Sequence, residues 1–390
     1  MNRRSMLVFF VVVFAIYFLT NFYIFLKGYR IITDSGNFRL FYTIIYIVLA
    51  STFIAGKIFE RNHSSVLTDI LNIIGGFWMA FMLYGFLSLL LSDIIFPITR
   101  ITGLLSVHGI PLFRKWSFLM TLTLSAGLII YGFINAIIPV VKKYDIVINK
   151  PAGEIKNFRI AAVSDIHLGS IIRKRSIIKL SGMLKKINPD VVLLLGDIVD
   201  GEIGPVLRDD LLSYFTCPKC RDGLYAITGN HEYIGGAATT IPYIEKHGIR
   251  ILKDEVITLD GGIQLIGRLD RDGARFNRKE RLPLSELMKQ VDLSKPVILL
   301  DHQPLRLSET VKAGVDLQLS GHTHNGQLWP INYITQMIYE ISYGYKKIGN
   351  TQFIVSSGFG LWGPRVRSGS RAEVLEINLT FSDSTSQHIN

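Results

Sequence analysis

Asp190-Val191-Val192-Leu193-Leu194-Leu195-Gly196-Asp197 decides the fold class of this chain. One charged residue starts the run, branched apolar residues follow without a break, and a glycine and a carboxylate close it. An apolar run this short and continuous predicts a strand covered on both faces. Open α/β sheets place functional loops beyond the carboxyl ends of such strands. The design recurs along the chain. Leu224 to Thr228 leads into Gly229-Asn230-His231, Val297 to Leu300 into Asp301-His302, and Leu317 to Leu319 towards Gly321-His322-Thr323-His324. Arg159 to Val163 reaches Asp165-Ile166-His167 after Ser164. A helix is predicted over Lys174 to Ile187, stopped by Asn188-Pro189, and a second helical piece over Pro242 to His247. Thr258 to Gly267 reads as a hairpin around Asp260-Gly261-Gly262. Phe353 to Val355 and Glu373 to Leu379 close the sheet system. Periodicity alone gives the class α/β.

The motifs at these strand ends carry carboxylate, imidazole and amide donors. Singly they are weak: Asp165 or Asp197 alone reads as a loop cap, Asn230 as a turn residue, His302 as a satisfied core histidine. As an ordered set they predict a metal site. Nitrogen and oxygen donors without thiolate suit Mn, Fe, Zn or Co. Two divalent ions about 3.5–4 Å apart clamp a phosphoryl group for in-line displacement, and coordination makes water acidic enough to act as hydroxide near neutral pH.

In their order, these motifs resemble the calcineurin-like metallophosphoesterases over about Phe158 to Leu379. Within that family the chain looks most like the membrane-associated bacterial YkuE-type branch. The resemblance extends to Gly358-Phe359-Gly360 and Pro364-Arg365-Val366-Arg367. It implies a four-layer α-β-β-α sandwich over residues 158–380 and two divalent ions, Mn, Fe or Zn. It implies that Asp165, His167 and His324 hold one ion, that Asn230, His302 and His322 hold the other, and that Asp197 bridges both. It implies that His231 is the acid that protonates the leaving group. Arg365 and Arg367 are candidates for substrate phosphate, because a guanidinium binds phosphate in a bidentate way.

The first 141 residues are of another kind. Apolar runs cover about 6–26, 40–59, 70–96 and 117–141. Each is long enough to cross about 30 Å of hydrocarbon, which takes roughly 20 helical residues. Against 31 acids the chain has 42 Lys and Arg, a net charge of +11; with so apolar a start, the bilayer is a simpler partner for this charge than nucleic acid. A multi-pass protein of the cell membrane is expected, its four helices followed by a linker and first strand (residues 142–157, the strand at Tyr144 to Ile148) and ended by a polar tail (381–390). An even number of spans puts both chain ends on one side. Counting Arg3, Arg4, Lys57, Arg61, Lys142, Lys143 and Lys150 against Lys27, Arg30, Arg39, Arg100, Arg114 and Lys115 gives seven to six, almost no bias under the positive-inside rule. The pairs Arg3-Arg4 and Lys142-Lys143 tilt the reading to the cytoplasm.

Two segments stay open. Cys217-Pro218-Lys219-Cys220 reads as a turn of thiols or a disulfide staple; it is half of a zinc site without the other half. The aromatic stretch Gln327 to Tyr345 reads either as an interfacial element that places lipid near the metals or as a cap packed on the core or the helices. The function expected is that of a membrane-anchored, dinuclear phosphoesterase that cleaves phosphoester or pyrophosphate bonds, with a lipid-linked phosphate as the sharper substrate. The alternatives are a nuclease or nucleotide phosphodiesterase of the same fold and a non-enzymatic membrane sensor or scaffold.

Overall fold

The computed structural model describes residues 3–32, 36–217, 220–274 and 280–382. These residues form two compact units. One is built on the chain up to residue 62 and on Val66–Gly132, with Gly363–Val366. The other is built on Phe133–Trp362 and the chain from Arg367, with His63–Ser65.

The first unit is helical, over Arg3–Tyr29, Gly36–Asn62, Val66–Ile101 and the start of Ile110–Ile137. All four helices are long and apolar enough to cross a membrane, and this is a membrane protein. Its outer surface is aliphatic and aromatic, with Val11, Ile16, Phe18, Ile47 and Leu91 exposed. Lipid solvates such a face, so association of the helices rests on close packing and internal hydrogen bonds. Asn21 provides a polar knot: its Nδ2 donates to Tyr17 O at 2.8 Å, its Oδ1 accepts from Trp78 Nε1 at 2.9 Å, and its carbonyl accepts from Tyr46 Oη at 2.8 Å. Three helices are tied at one residue that the sequence shows only as a break in an apolar run.

The second unit holds two six-stranded sheets. The first has the order β1 (Val140–Ile148), β12 (Glu373–Phe381), β2 (Asn157–Val163), β3 (Val191–Leu194), β4 (Leu224–Ala226), β5 (Arg250–Ile251). The second has the order β10 (Gly344–Ile348), β11 (Thr351–Val355), β9 (Leu317–Ser320), β8 (Val297–Leu300), β7 (Gln264–Gly267), β6 (Glu255–Thr258). Strands β2 to β5 are mutually parallel, as are β7, β8, β9 and β11.

Alternation along each strand builds the layers. In β3, Val191, Leu193 and the following Leu195 enter the core shared by the sheets, with Ile298, Leu300, Leu317 and Ile354. Val192 and Leu194 point the other way, onto Ile177, Leu180 and Leu184 of helix Lys174–Ile187 and Ile244 of helix Ala237–Lys246. On the far side, Val297 and Leu299 of β8 meet Leu284 and Leu287 of helix Leu284–Met288. The four-layer α-β-β-α sandwich is thus present, and β3 is apolar throughout because both its faces are buried.

The start of this unit along the chain differs from the sequence reading in its bounds. The last long helix stops at Ile137, and β1 starts at Val140. The strand expected at Tyr144 to Ile148 is present and begins four residues earlier: β1 pairs with β12 in parallel register from Val140–Glu373 to Ile148–Phe381. Val140 and Val141 are apolar, so they read as more helix, and only the pairing with a distant strand fixes them in the sheet. Phe381, assigned to the tail, ends β12; the rest of that expectation, over 383–390, lies outside the described residues.

Candidate metal centre

The motif loops converge at the carboxyl ends of both sheets. Asp165, His167, Asp197, His322 and His324 all adopt positive φ, between 48° and 71°. That region is costly for residues with a side chain, and such strain gathers at functional sites. Close approach of the loops also needs glycine. A Cβ on Gly229 would lie 2.1 Å from Asp197 Oδ1, and one on Gly321 would lie 2.4 Å from Asp165 Oδ2.

Two donor groups carry the expected ligands, each within 4.8 Å internally: Asp165, His167 and His324, and Asp197, His302 and His322; a third, His167, Asp200 and His231, shares His167 with the first. In the first, His167 Nε2 stands 3.1 Å from His324 Nε2, which is 3.5 Å from Asp165 Oδ1. Asp197 Oδ2 lies between the groups, 3.7 Å from His167 Nε2 and 3.1 Å from His302 Nε2. Asn230 joins the second, its Oδ1 accepting from His322 Nδ1 at 2.9 Å. His302 Nδ1 lies 2.7 Å from Leu195 O, which fixes the ring and leaves its buried Nε2 facing Asp197 Oδ2.

These residues fit two divalent cations. The donors are hard or borderline, convergent and, but for the half-buried His322, buried, and a carboxylate stands between them. Burial pushes the His322 imidazole down to about 3 and holds that of His324 far below its ordinary value. Both rings are neutral, the form that ligates. Burial raises the Asp165 carboxyl, with Asp197 adding to it. At Asp197 burial also acts upward, but His302, His231 and His167 override it and hold the group well below the carboxylate range.

His231 is in neither group of expected ligands and sits in the third, with His167 and Asp200. Its ring packs edge-on against His167, with centroids 4.5 Å apart, and its Nδ1 is 3.0 Å from Asp200 Oδ1. Burial would lower its pKa, but Asp197, Asp200 and Glu232 outweigh that and raise it to about 9. Its backbone N–H donates to Asp197 Oδ1 at 2.9 Å.

The sequence reading overlooked Asp200 and Glu232. Glu232 is wholly buried and accepts backbone N–H groups from Asp197, Ile198, Val199 and Gly229 at 2.7–3.1 Å. It clamps the Asp197 loop to the Asn230 loop. Its spacing from Gly229 is that of a capping box, a signal present in the sequence; nothing there separates Asp200 from any other loop carboxylate.

Arg367 is not on the surface of a cleft. It is fully buried, and its guanidinium donates to Gly360 O at 3.2 Å, Ser357 O at 2.8 Å and Ser370 Oγ at 2.8 Å, with Nη2 3.2 Å from His324 Nδ1. It therefore braces the His324 loop and is not placed to meet a substrate phosphate. Arg365 falls in the segment grouped with the helical unit.

The calcineurin-like phosphoesterase family model matches residues 158–326, the stretch that carries all the donors. A metallophosphoesterase of Aquifex aeolicus is 34% identical over 61% of this chain and 91% of its own length. A metallophosphoesterase of Campylobacter jejuni is 30% identical over 96% of this chain and 98% of its own, so the likeness there includes the helical part. The chain belongs to the calcineurin-like phosphoesterases. A transmembrane protein with metallophosphoesterase domain of Danio rerio is 29% identical over 67% of this metallophosphoesterase and 62% of its own length. The sequence expectation of a metal-dependent phosphoesterase on a membrane protein therefore stands at the level of family, fold and enzyme class.

Proposed function

We propose that this metallophosphoesterase hydrolyses a phosphoester or pyrophosphate bond of a molecule carried in the bilayer. The observation behind the substrate class is the helix Ile331–Ile338, which starts a few residues after His324 and has no buried residue. Tyr333, Ile334, Met337 and Ile338 are exposed, Met337 by 87%, and Trp329 precedes them. Positions three and four residues apart share one helical face, as Met337 does with Tyr333 and Ile334, and an exposed apolar, aromatic face next to a polar site suits the lipid interface. Packing into the core, the other reading of this segment, accounts for Leu328 and Ile341 but not for the helix between them.

In this reading Asp165, His167 and His324 would hold one ion, Asn230, His302 and His322 the second, and Asp197 would serve both. Bound divalent ions polarise the phosphoryl group and activate water near neutral pH. The chain's own part in the chemistry is to fix geometry and move a proton. Glu232 holds the loop positions, Arg367 braces the His324 loop, and His231, kept as imidazolium by Asp197, Asp200 and Glu232, donates the proton to the departing oxygen.

Purified, metal-loaded protein assayed on a lipid phosphate in vesicles and on a small aryl phosphate tests the reading. Changing Tyr333 and Met337 together to Ala should lower vesicle hydrolysis several-fold more than small-ester hydrolysis. Equal losses on both substrates would refute the interfacial role, and preference for soluble nucleotides would transfer the assignment to a nucleotide phosphodiesterase.

A further inference from the structure

The second sheet carries, on its outer side, a recess that the metal centre does not use. Asp301 and His302 follow β8 and diverge: His302 turns to the first sheet at Leu195 O, whereas Asp301 sits among arginines. Arg281 Nη1 is 2.9 Å from Asp301 Oδ1, and Arg268 Nη1 and Arg271 Nη2 are 3.5 and 4.0 Å from its Oδ2. Together with Arg306 and Lys312 they line a recess of about 710 Å³ beside the helices Leu284–Met288 and Leu307–Lys312.

Positive charge is in excess there. The five cations face three carboxylates: Asp301, Glu309, which is 3.3 Å from Arg306, and Asp254, which accepts from the backbone of Leu269 and Leu282. Among the described residues, five minus three leaves two positive charges in excess. Arg268 is only 4% exposed. Burial, then the nearby Arg281 and Arg271, lower its pKa against the pull of Asp301 and Asp254. Nε of Arg268 and Nε of Arg271 are both buried without a hydrogen-bond partner. A guanidinium left with an unused donor and an unmatched charge in a buried place is costly, and a tetrahedral dianion supplies both the charge and several acceptors.

We propose that this recess is a second anion site, which binds a phosphate-class dianion at Arg268, Arg271 and Arg281 on the face of the sheet turned away from the metal centre. The dianion comes either from free phosphate or from the phosphate of a lipid headgroup, since both present the same oxygens.

Equilibrium dialysis of the full-length, metal-loaded protein in detergent against radiolabelled inorganic phosphate is the test. One bound equivalent should depend on the arginines: Arg271→Gln should weaken it roughly 10-fold or more, the loss of a charge-assisted bond, and Arg271→Lys should weaken it less. Lys312→Gln, at an exposed position, should weaken the same equivalent and guards against misfolding of the buried variant. Phosphate binding unchanged in both Arg271→Gln and Lys312→Gln overturns the proposal. In nanodiscs, displacement of the Arg271-dependent equivalent by phosphatidic acid, but not by phosphatidylcholine, assigns the site to a lipid headgroup; no displacement assigns it to soluble phosphate.

Discussion

Asp197 and His231 are neighbours with separable work. Asp197 Oδ2 stands between the two donor groups, and its Oδ1 takes the His231 backbone N–H. Asp197→Asn should therefore abolish hydrolysis and lower the bound metal content, while membrane insertion persists; metal analysis of detergent-purified protein checks this. His231→Ala should keep both ions and slow turnover roughly 10²–10⁴-fold. Loss of metal in that variant would make His231 a ligand. The pH profile has a defined sign. A proton donor works below its pKa, so activity should fall as pH rises towards about 9, the value to which Asp197, Asp200 and Glu232 raise His231 against burial, or at lower pH once bound cations repel the imidazolium. Asp200→Asn removes one raising charge, so the alkaline limb of kcat should move to lower pH; an unmoved limb would remove Asp200 from the proton donor's surroundings. The convergence of the candidate donors was legible because histidines, carboxylates and an asparagine recur at strand ends in a fixed order. The burial of Arg367 was not legible, because sequence displays charge and not burial.

At the scale of elements, the strands β3 and β8 were legible because burial on both faces forces a continuous apolar run, whereas β1 was half hidden. Its first residues are as apolar as the helix before them, and its partner β12 lies more than two hundred residues on. Pairing across that distance leaves no local trace. The consequence is practical. A chain begun at Lys143 removes three of the nine paired positions of β1 and should unfold at lower temperature than one begun at Pro139, by several degrees in a thermal melt. Equal melting temperatures would mean that the strand's start adds nothing. Between elements, Glu232 joins the Asp197 and Asn230 loops through four backbone donors. Glu232→Ala leaves those donors buried and unsatisfied, so it should cost at least about 2 kcal/mol of stability and lower metal occupancy too, as read by denaturant unfolding and metal analysis.

For the molecule as a whole, four apolar helices and a phosphoesterase sandwich in one chain raise the question of what the helices do for the chemistry. All donors lie after Val163, so the helices contribute none of them. A chain begun at Pro139 keeps β1 and the whole donor set, and should retain its rate on a small aryl phosphate within a few-fold. On a phosphate embedded in vesicles it should lose far more, because tethering turns a second encounter into an intramolecular one with an effective concentration set by the anchor. The exposed face of Ile331–Ile338 remains in the shortened chain, so its own share can be separated: Tyr333→Ala and Met337→Ala should lower residual vesicle hydrolysis further if that face meets lipid. Losses of equal size on both substrates after shortening would show that the helices support folding rather than substrate encounter. Four spans would put the phosphoesterase unit on the side of the N-terminus. The lean to the cytoplasm predicts that reporter fusions at Lys150 and at the C-terminus report the inside. Their failure would place the same chemistry on lipid phosphates of the opposite leaflet without altering any donor.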